Sequence, residues 1–255
     1  MAVSAPTRVT GSKYEFATTT SSFTTDSFTA VSGRLYVALT SSESPAGTFG
    51  TSNGDVIAIS QTHTGSWSWT KINQFYVPNA SNWYERISVF YAVAPVTSTG
   101  TITFTSNDGS APENQQTVIF IESVFEFTGM DQTSPVRQSK TGNSTSTSQA
   151  LTLDSTPQPT SLIFGMIGDS FSGSSYTNIA PPTGWTEFTE DRAGDSGSIN
   201  TETAYVRNTS STGLTWTNVS GGFGSGAVAL EIQPPKNRIQ VNKLRPAIFK
   251  PGNRR

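Results

Sequence analysis

The chain has no cysteine and a single histidine, His63, among its 255 residues. The first absence excludes a disulfide scaffold, a thiolate zinc site and a cysteine nucleophile. The second excludes a histidine-rich metal centre. Charge is scarce too: Asp, Glu, Lys and Arg together make 13% of the chain, against the usual quarter. No run approaches eighteen apolar residues, so no membrane-spanning segment is expected. No stretch keeps an apolar stripe at a period of 3.6, so essentially no helix is expected. The first sixteen residues carry no apolar segment of the kind that directs secretion, so no signal peptide is expected.

What is present is β-forming. Ser and Thr number 74 and Phe 15, and Val, Tyr and Trp are plentiful, with Gly and Pro scattered between them. Strand candidates recur about every ten residues, the spacing of a sandwich or barrel. In 101–105, Ile102 and Phe104 alternate with threonines, which places the apolar pair on a core face and the threonines toward solvent. Residues 118–127 are nearly continuously apolar, which predicts a central strand covered on both faces.

The candidates also come twice in one order. A long strand near 27–39, a Trp-Thr strand at Trp69, a Phe/Tyr strand from Arg86, a Thr-alternating strand from Thr99 and an apolar strand ending at Glu126 form the first series. Segments near 148–167, at Trp185, from Asn200, from Thr212 and from Gly226 form the second. This predicts two tandem copies of one β-sandwich unit, of jelly-roll or immunoglobulin-like kind, with extended arms at both ends. The expected divisions are an N-terminal arm 1–11, unit one 12–130, a polar linker 131–148, unit two 149–234, and a C-terminal arm 235–255. A single larger sandwich built from both halves is the alternative.

Catalytic constellations are weak. Glu122 and Glu126 share a strand face but lie about 13 Å apart at ~3.3 Å per residue, beyond the spacing of a glycosidase pair. Residues 194–197, Gly-Asp-Ser-Gly, suit a loop better than a protease nucleophile, since His63 has no organised acidic partner. Asp191 and Asp195 lie in a polar stretch but lack a calcium-loop signature. No phosphate loop or dinucleotide fingerprint occurs. We therefore expect no enzyme activity, no cofactor and no metal. Trp67, Tyr76, Trp83 and Tyr84 are the aromatics freest to form a surface or glycan contact, with Trp69 and Trp185 assigned to the core.

The charge distribution is lopsided. Residues 236–255 hold seven of the 16 basic residues and no acidic one, leaving nine basic against all 18 acidic before them. Such an arm suits docking on another molecule. Its apolar residues and prolines favour a protein surface over solvated disorder or nucleic acid. The expected docking residues are Arg238, Ile239, Val241, Lys243, Leu244, Arg245, Pro246, Ile248, Phe249, Lys250, Arg254 and Arg255. Residues 238–242 alternate like a strand that could add to a sheet edge.

Residues 244–255 resemble the C-terminal endings of many tailed-bacteriophage virion proteins, of the form Arg-Pro-x-x-Phe-x-Pro-Gly. The body is similar to Ser/Thr/Gly-rich β-sandwich proteins of phage structural modules, in the succession Val89–Ala92, Thr101–Thr105 and Glu126–Gly129. The resemblance implies a capsid decoration (cement) protein, assembled in the host cytoplasm and carried on the virion. It would be a homo-oligomer bound to the major capsid protein or other virion proteins. A tail or fibre component binding a host receptor or glycan, and a carbohydrate-binding module of an enzyme, are the alternatives.

Overall fold

A computed structural model describes residues 2–20, 22–45, 56–78, 83–107, 117–172, 178–193, 197–219 and 224–236. Among the described residues there are seventeen strands and no helix. The first half contributes β1 (Thr7–Thr20), β2 (Ser22–Thr24), β3 (Phe28–Ala30), β4 (Leu35–Pro45), β5 (Val56–Gln61), β6 (Thr70–Pro78), β7 (Trp83–Val93), β8 (Ser98–Gly100), β9 (Ile102–Asn107) and β10 (Thr117–Phe127). The second contributes β11 (Val136–Ser144), β12 (Ser148–Thr152), β13 (Leu162–Ser172), β14 (Thr186–Ala193), β15 (Gly197–Arg207), β16 (Gly213–Thr217) and β17 (Ser225–Ile232).

Each half builds one five-stranded antiparallel sheet, in the orders β1-β10-β4-β7-β6 and β11-β17-β13-β15-β14. In both, the first strand pairs with the last, the last with the long strand, and so outward. The likeness extends to irregularities. Trp69 and Trp185 each stand one residue before the edge strand β6 or β14, whose opening threonine pairs with Tyr91 or Tyr205. The ladder then breaks at Ile72 between Lys71 and Asn73, and at Phe188 between Glu187 and Thr189. Such a bulge rotates the extra side chain, and here both pack into the core.

Alternation along each strand decides what each face meets. Leu35, Val37 and Leu39 of β4 point one way and Tyr36 and Ala38 the other. The first set joins Ile87, Val89, Phe125 and Phe127 in a cluster that also holds Leu162, Phe164, Met166, Val228, Leu230 and Ile232 of the second half. The two large sheets therefore pack face to face, through rings such as Phe125 and Phe127 on Phe164 at 5.1 and 5.3 Å. The packing is reciprocal: β1 lies against β14 as β11 lies against β6, and β10 against β14 as β17 against β6, the pattern of an isologous interface. The outer faces are closed by smaller sheets. In the first half β2, β3, β5, β8 and β9 cover Tyr36, Ala38, Phe90 and Val124. In the second β12 and β16 cover Ile163, Ile167, Ala227 and Ala229.

The expected central strand is β10, buried from Ile121 to Phe127 between β1 and β4. Ile102 and Phe104 are core residues as expected, and the threonines beside them pair hydroxyls across strands, Thr24 with Thr103 and Thr62 with Thr101 at 2.8 and 3.1 Å. Cross-strand pairs of this kind give the abundant Ser and Thr a structural use. Two expected boundaries are corrected. Residues 7–11, assigned to an arm, open β1, and Val3 is buried in the shared core. Residues 136–144, assigned to a linker, are β11, the edge strand of the second sheet.

Gly165 of β13 shows how the halves diverge. A Cβ there would sit 2.8 Å from Trp216 and 2.9 Å from Trp185. The corresponding residue is Ala38, whose neighbour in place of Trp216 is Phe104. Gly165→Ala is expected to destabilise by about 1–3 kcal/mol by overpacking, and Trp216→Phe in the same chain to recover part of that loss in denaturant titration.

Candidate functional site

Residues 128–135 join the halves and contact Ala2 and Ser4 on one side and Gln233 and Lys236 on the other. Ser4 N–H donates to the Thr128 carbonyl and Thr128 N–H to Ser4 Oγ, each at 2.9 Å. Gly129 has a φ of +72°, and a Cβ there would lie 2.5 Å from the Ala2 carbonyl oxygen, so both conformation and crowding require glycine. On the other side, the Asp131 N–H donates to the Gln233 carbonyl and the Gln233 N–H to the Pro135 carbonyl, both at 2.9 Å. The Asp131 carboxylate accepts from the N–H groups of Thr133 and Ser134 at 2.8 and 3.0 Å. Those two donors hold its carboxyl below the usual carboxylate range. The Lys236 N–H reaches the same carboxylate at 3.5 Å. An open depression of about 560 Å³ lies between this turn and residues Pro235 and Lys236. Gln233 and Lys236, which follow β17 and precede most of the basic segment, are thus tied to this turn. The docking residues expected in that segment, from Arg238 to Arg255, lie outside the described residues.

The expected aromatic face is redrawn. Trp67 is buried, not superficial: its ring meets Tyr36 at 5.4 Å and His63 at 5.2 Å, and it stacks on Trp69 at 5.4 Å and 22°. In the register of the sheet Tyr76 stands opposite Arg86, Tyr84 opposite Pro78 and Ser44, and Trp83 opposite Pro45. His63 is a core residue. Its Nδ1 lies 3.1 Å from the Ser98 carbonyl, its ring packs on Phe28 at 4.6 Å, and burial holds its pKa below the ordinary value. Gly100 makes this fit, because a Cβ there would lie 2.6 Å from the His63 backbone nitrogen. Asp191 is committed to Arg8 of the first half at 2.9 Å. Asp195 lies outside the described residues.

The buried carboxyls divide into two kinds. Glu126 and Glu231 occupy matching places near the ends of β10 and β17. Glu126 is held by the Arg34 guanidinium and the Tyr36 hydroxyl. Burial opposes ionisation of Glu231, but donors from Gln158 N–H, Gln138, Ser161 and Arg137 at 2.6–2.9 Å outweigh it and hold its pKa low. Glu122 and Glu202 are fully buried; the Thr10 hydroxyl lies beside Glu122 and favours its charged form, whereas no hydrogen-bond donor reaches the Glu202 oxygens among the described residues. Burial pushes each up to about 8. Asp26 and Asp191 add to the rise at Glu122 against the opposing pull of Arg8, and Glu187 and Glu190 add to that at Glu202. Both belong to the interior. Among the described residues no three His, Cys, Asp or Glu side chains converge to hold a metal ion.

One open feature was missed in the sequence. A groove of about 530 Å³ lies beside Trp185, walled by the ends of β15 and β16 and the turn before β14. Its signal was present as the contrast between Trp-Ser-Trp before β6 and Thr-Gly-Trp before β14. Comparison of the chain with family models, with curated proteins and with solved structures found no match.

Proposed function

We propose that this chain is a non-enzymatic structural protein of a bacteriophage virion, a capsid decoration protein that docks through its basic C-terminal segment. The observation that carries this reading is the clamped tail root. The last twenty residues hold seven basic residues and no acidic one, and the chain where they begin is tied to the 131–135 turn at Gln233 and Lys236. Nine basic and 18 acidic residues remain behind, so the segment differs in sign from its own body and suits a surface elsewhere. The two identically ordered sheets support a duplicated sandwich unit of jelly-roll or immunoglobulin-like kind, fused through a common core into one displayed body. The partner would be the major capsid protein, and the chain would assemble on it as a homo-oligomer. Quantitative mass spectrometry of purified virions tests the reading. Hundreds of copies per particle are expected; a handful of copies, or none, contradicts a shell-decorating role.

A further inference from the structure

We propose that the groove beside Trp185 is a carbohydrate-binding site. This does not rest on the attachment reading. The argument comes from comparing one place in the two halves. In the first half Trp67 stacks on the equivalent Trp69 at 5.4 Å, and the Trp69 Nε1 donates to Gln61 Oε1 at 2.9 Å; Trp69 and Trp185 are partly buried alike, but they differ in what stands beside the ring. In the second half the position of Trp67 falls to Thr183, an exposed residue that lines the groove. Trp216, at 6.1 Å and 60°, is the ring that meets Trp185 among the described residues, and the partly buried indole also lines the cavity.

The rim changes in the same sense. The pairings of Leu35 with Val93 and Leu162 with Arg207 make Val93, Ala94 and Pro95 the counterparts of Arg207, Asn208 and Thr209. In the first half Val93 and Ala94 belong to the apolar packing while Pro95 is exposed, so the fold does not require polar residues at the first two of these positions. The second half leaves this corner open and surrounds the tryptophan with an exposed guanidinium, an amide and hydroxyls, including exposed Thr215. Asn208 holds a left-handed φ of +54° and Gly184 one of +82°, with nothing within 4 Å of where a Cβ on Gly184 would stand. The turns thus keep the space clear.

An apolar aromatic plane ringed by hydrogen-bonding groups matches a pyranose, which has one C–H face and a girdle of hydroxyls. A proline-rich peptide would want more apolar wall than Trp185, Val206 and Pro182 provide. Arg207 adds a cation for a carboxylated sugar.

The test is a titration of the full chain, followed by the tryptophan indole N–H signals in NMR. The probes are glucose, N-acetylglucosamine, glucuronic acid and N-acetylneuraminic acid, with a proline-rich peptide as the competing class. At least one saccharide is expected to move the Trp185 signal saturably. Trp185→Ala should weaken binding at least tenfold. Because that ring also packs on Trp216, the exposed-site variants Arg207→Ala and Thr215→Lys serve as controls that keep the fold, each weakening binding severalfold. The proposal is overturned if no saccharide moves Trp185, if binding survives both exposed-site variants unchanged, or if only the peptide moves the signal.

Discussion

Raising the pH from 6.5 to 8 is expected to lower the free energy of unfolding by roughly 3 kcal/mol, because Glu122 and Glu202 must both stay protonated in the folded chain. Their carboxyls are pushed up to about 8 by burial, whereas in the unfolded chain they ionise near 4.5. Between those values the unfolded chain has lost both protons and the folded chain keeps them. Stability therefore falls with rising pH, by up to about 1.4 kcal/mol per pH unit for each group, and the loss is complete once the pH passes the folded value. His63 acts in the opposite direction at lower pH. Its pKa is held down by burial, so stability is lost as pH falls through the ordinary histidine value and the unfolded chain takes up a proton. Glu231, held low by its donors, removes stability further into acid. Across the window from 6.5 to 8 the two buried glutamates therefore dominate, with His63 adding a smaller opposite change at its acid end. Glu122→Gln or Glu202→Gln should halve the slope in urea titrations across it, and the double variant should leave it nearly flat. An unchanged slope in the double variant would show that the carboxyls do not carry the effect.

Phe164→Ala is expected to cost about 3–5 kcal/mol, the range for deleting a buried aromatic ring, and to weaken both halves together. Phe164 belongs to the second half, yet its ring lies 5.1 Å from Phe125 and 5.3 Å from Phe127 of the first. If the large sheets share one core, the most protected amides of β10 and β4 should lose hydrogen-exchange protection by the same free energy as those of β13 and β17. Two independent domains would confine the loss to β13 and its neighbours. The ion pair between Arg8 and Asp191 crosses the same boundary, with side chains only 25% and 21% exposed, but such a pair contributes far less than the aromatic contact.

The difference between what could be read in the sequence and what could not follows from the range of each interaction. The strand β10 was legible because its apolar run, broken only at Glu122, Ser123 and Glu126, reflects cover on both faces, a property of the strand itself. The repeated order of strands was legible because Trp69 and Trp185, each followed by a Phe/Tyr strand and a Thr-alternating strand, recur in one succession. The shared core was not, because alternation reveals that Leu35 and Val37 have an inward face without revealing which sheet they meet. The strand character of Thr7–Gly11 was hidden for a similar reason. Its partner Ser123–Glu126 lies more than a hundred residues away, and the segment is too polar to announce itself. Trp67 was misjudged although a period of two places it on the same side as Trp69. The open groove at Trp185 became visible only when the corner it occupies could be compared with the filled corner around Trp67.

The most direct test of the proposed attachment is removal of residues 237–255 followed by co-sedimentation with phage shells, the partner that the proposed function names. The root at Lys236 and the core stay intact in that variant, so its unfolding transition should match that of the full chain. The account predicts a folded protein that remains in the supernatant while the full chain sediments with the shells, less so at high salt. Sedimentation of the truncated chain at full-length occupancy would contradict it.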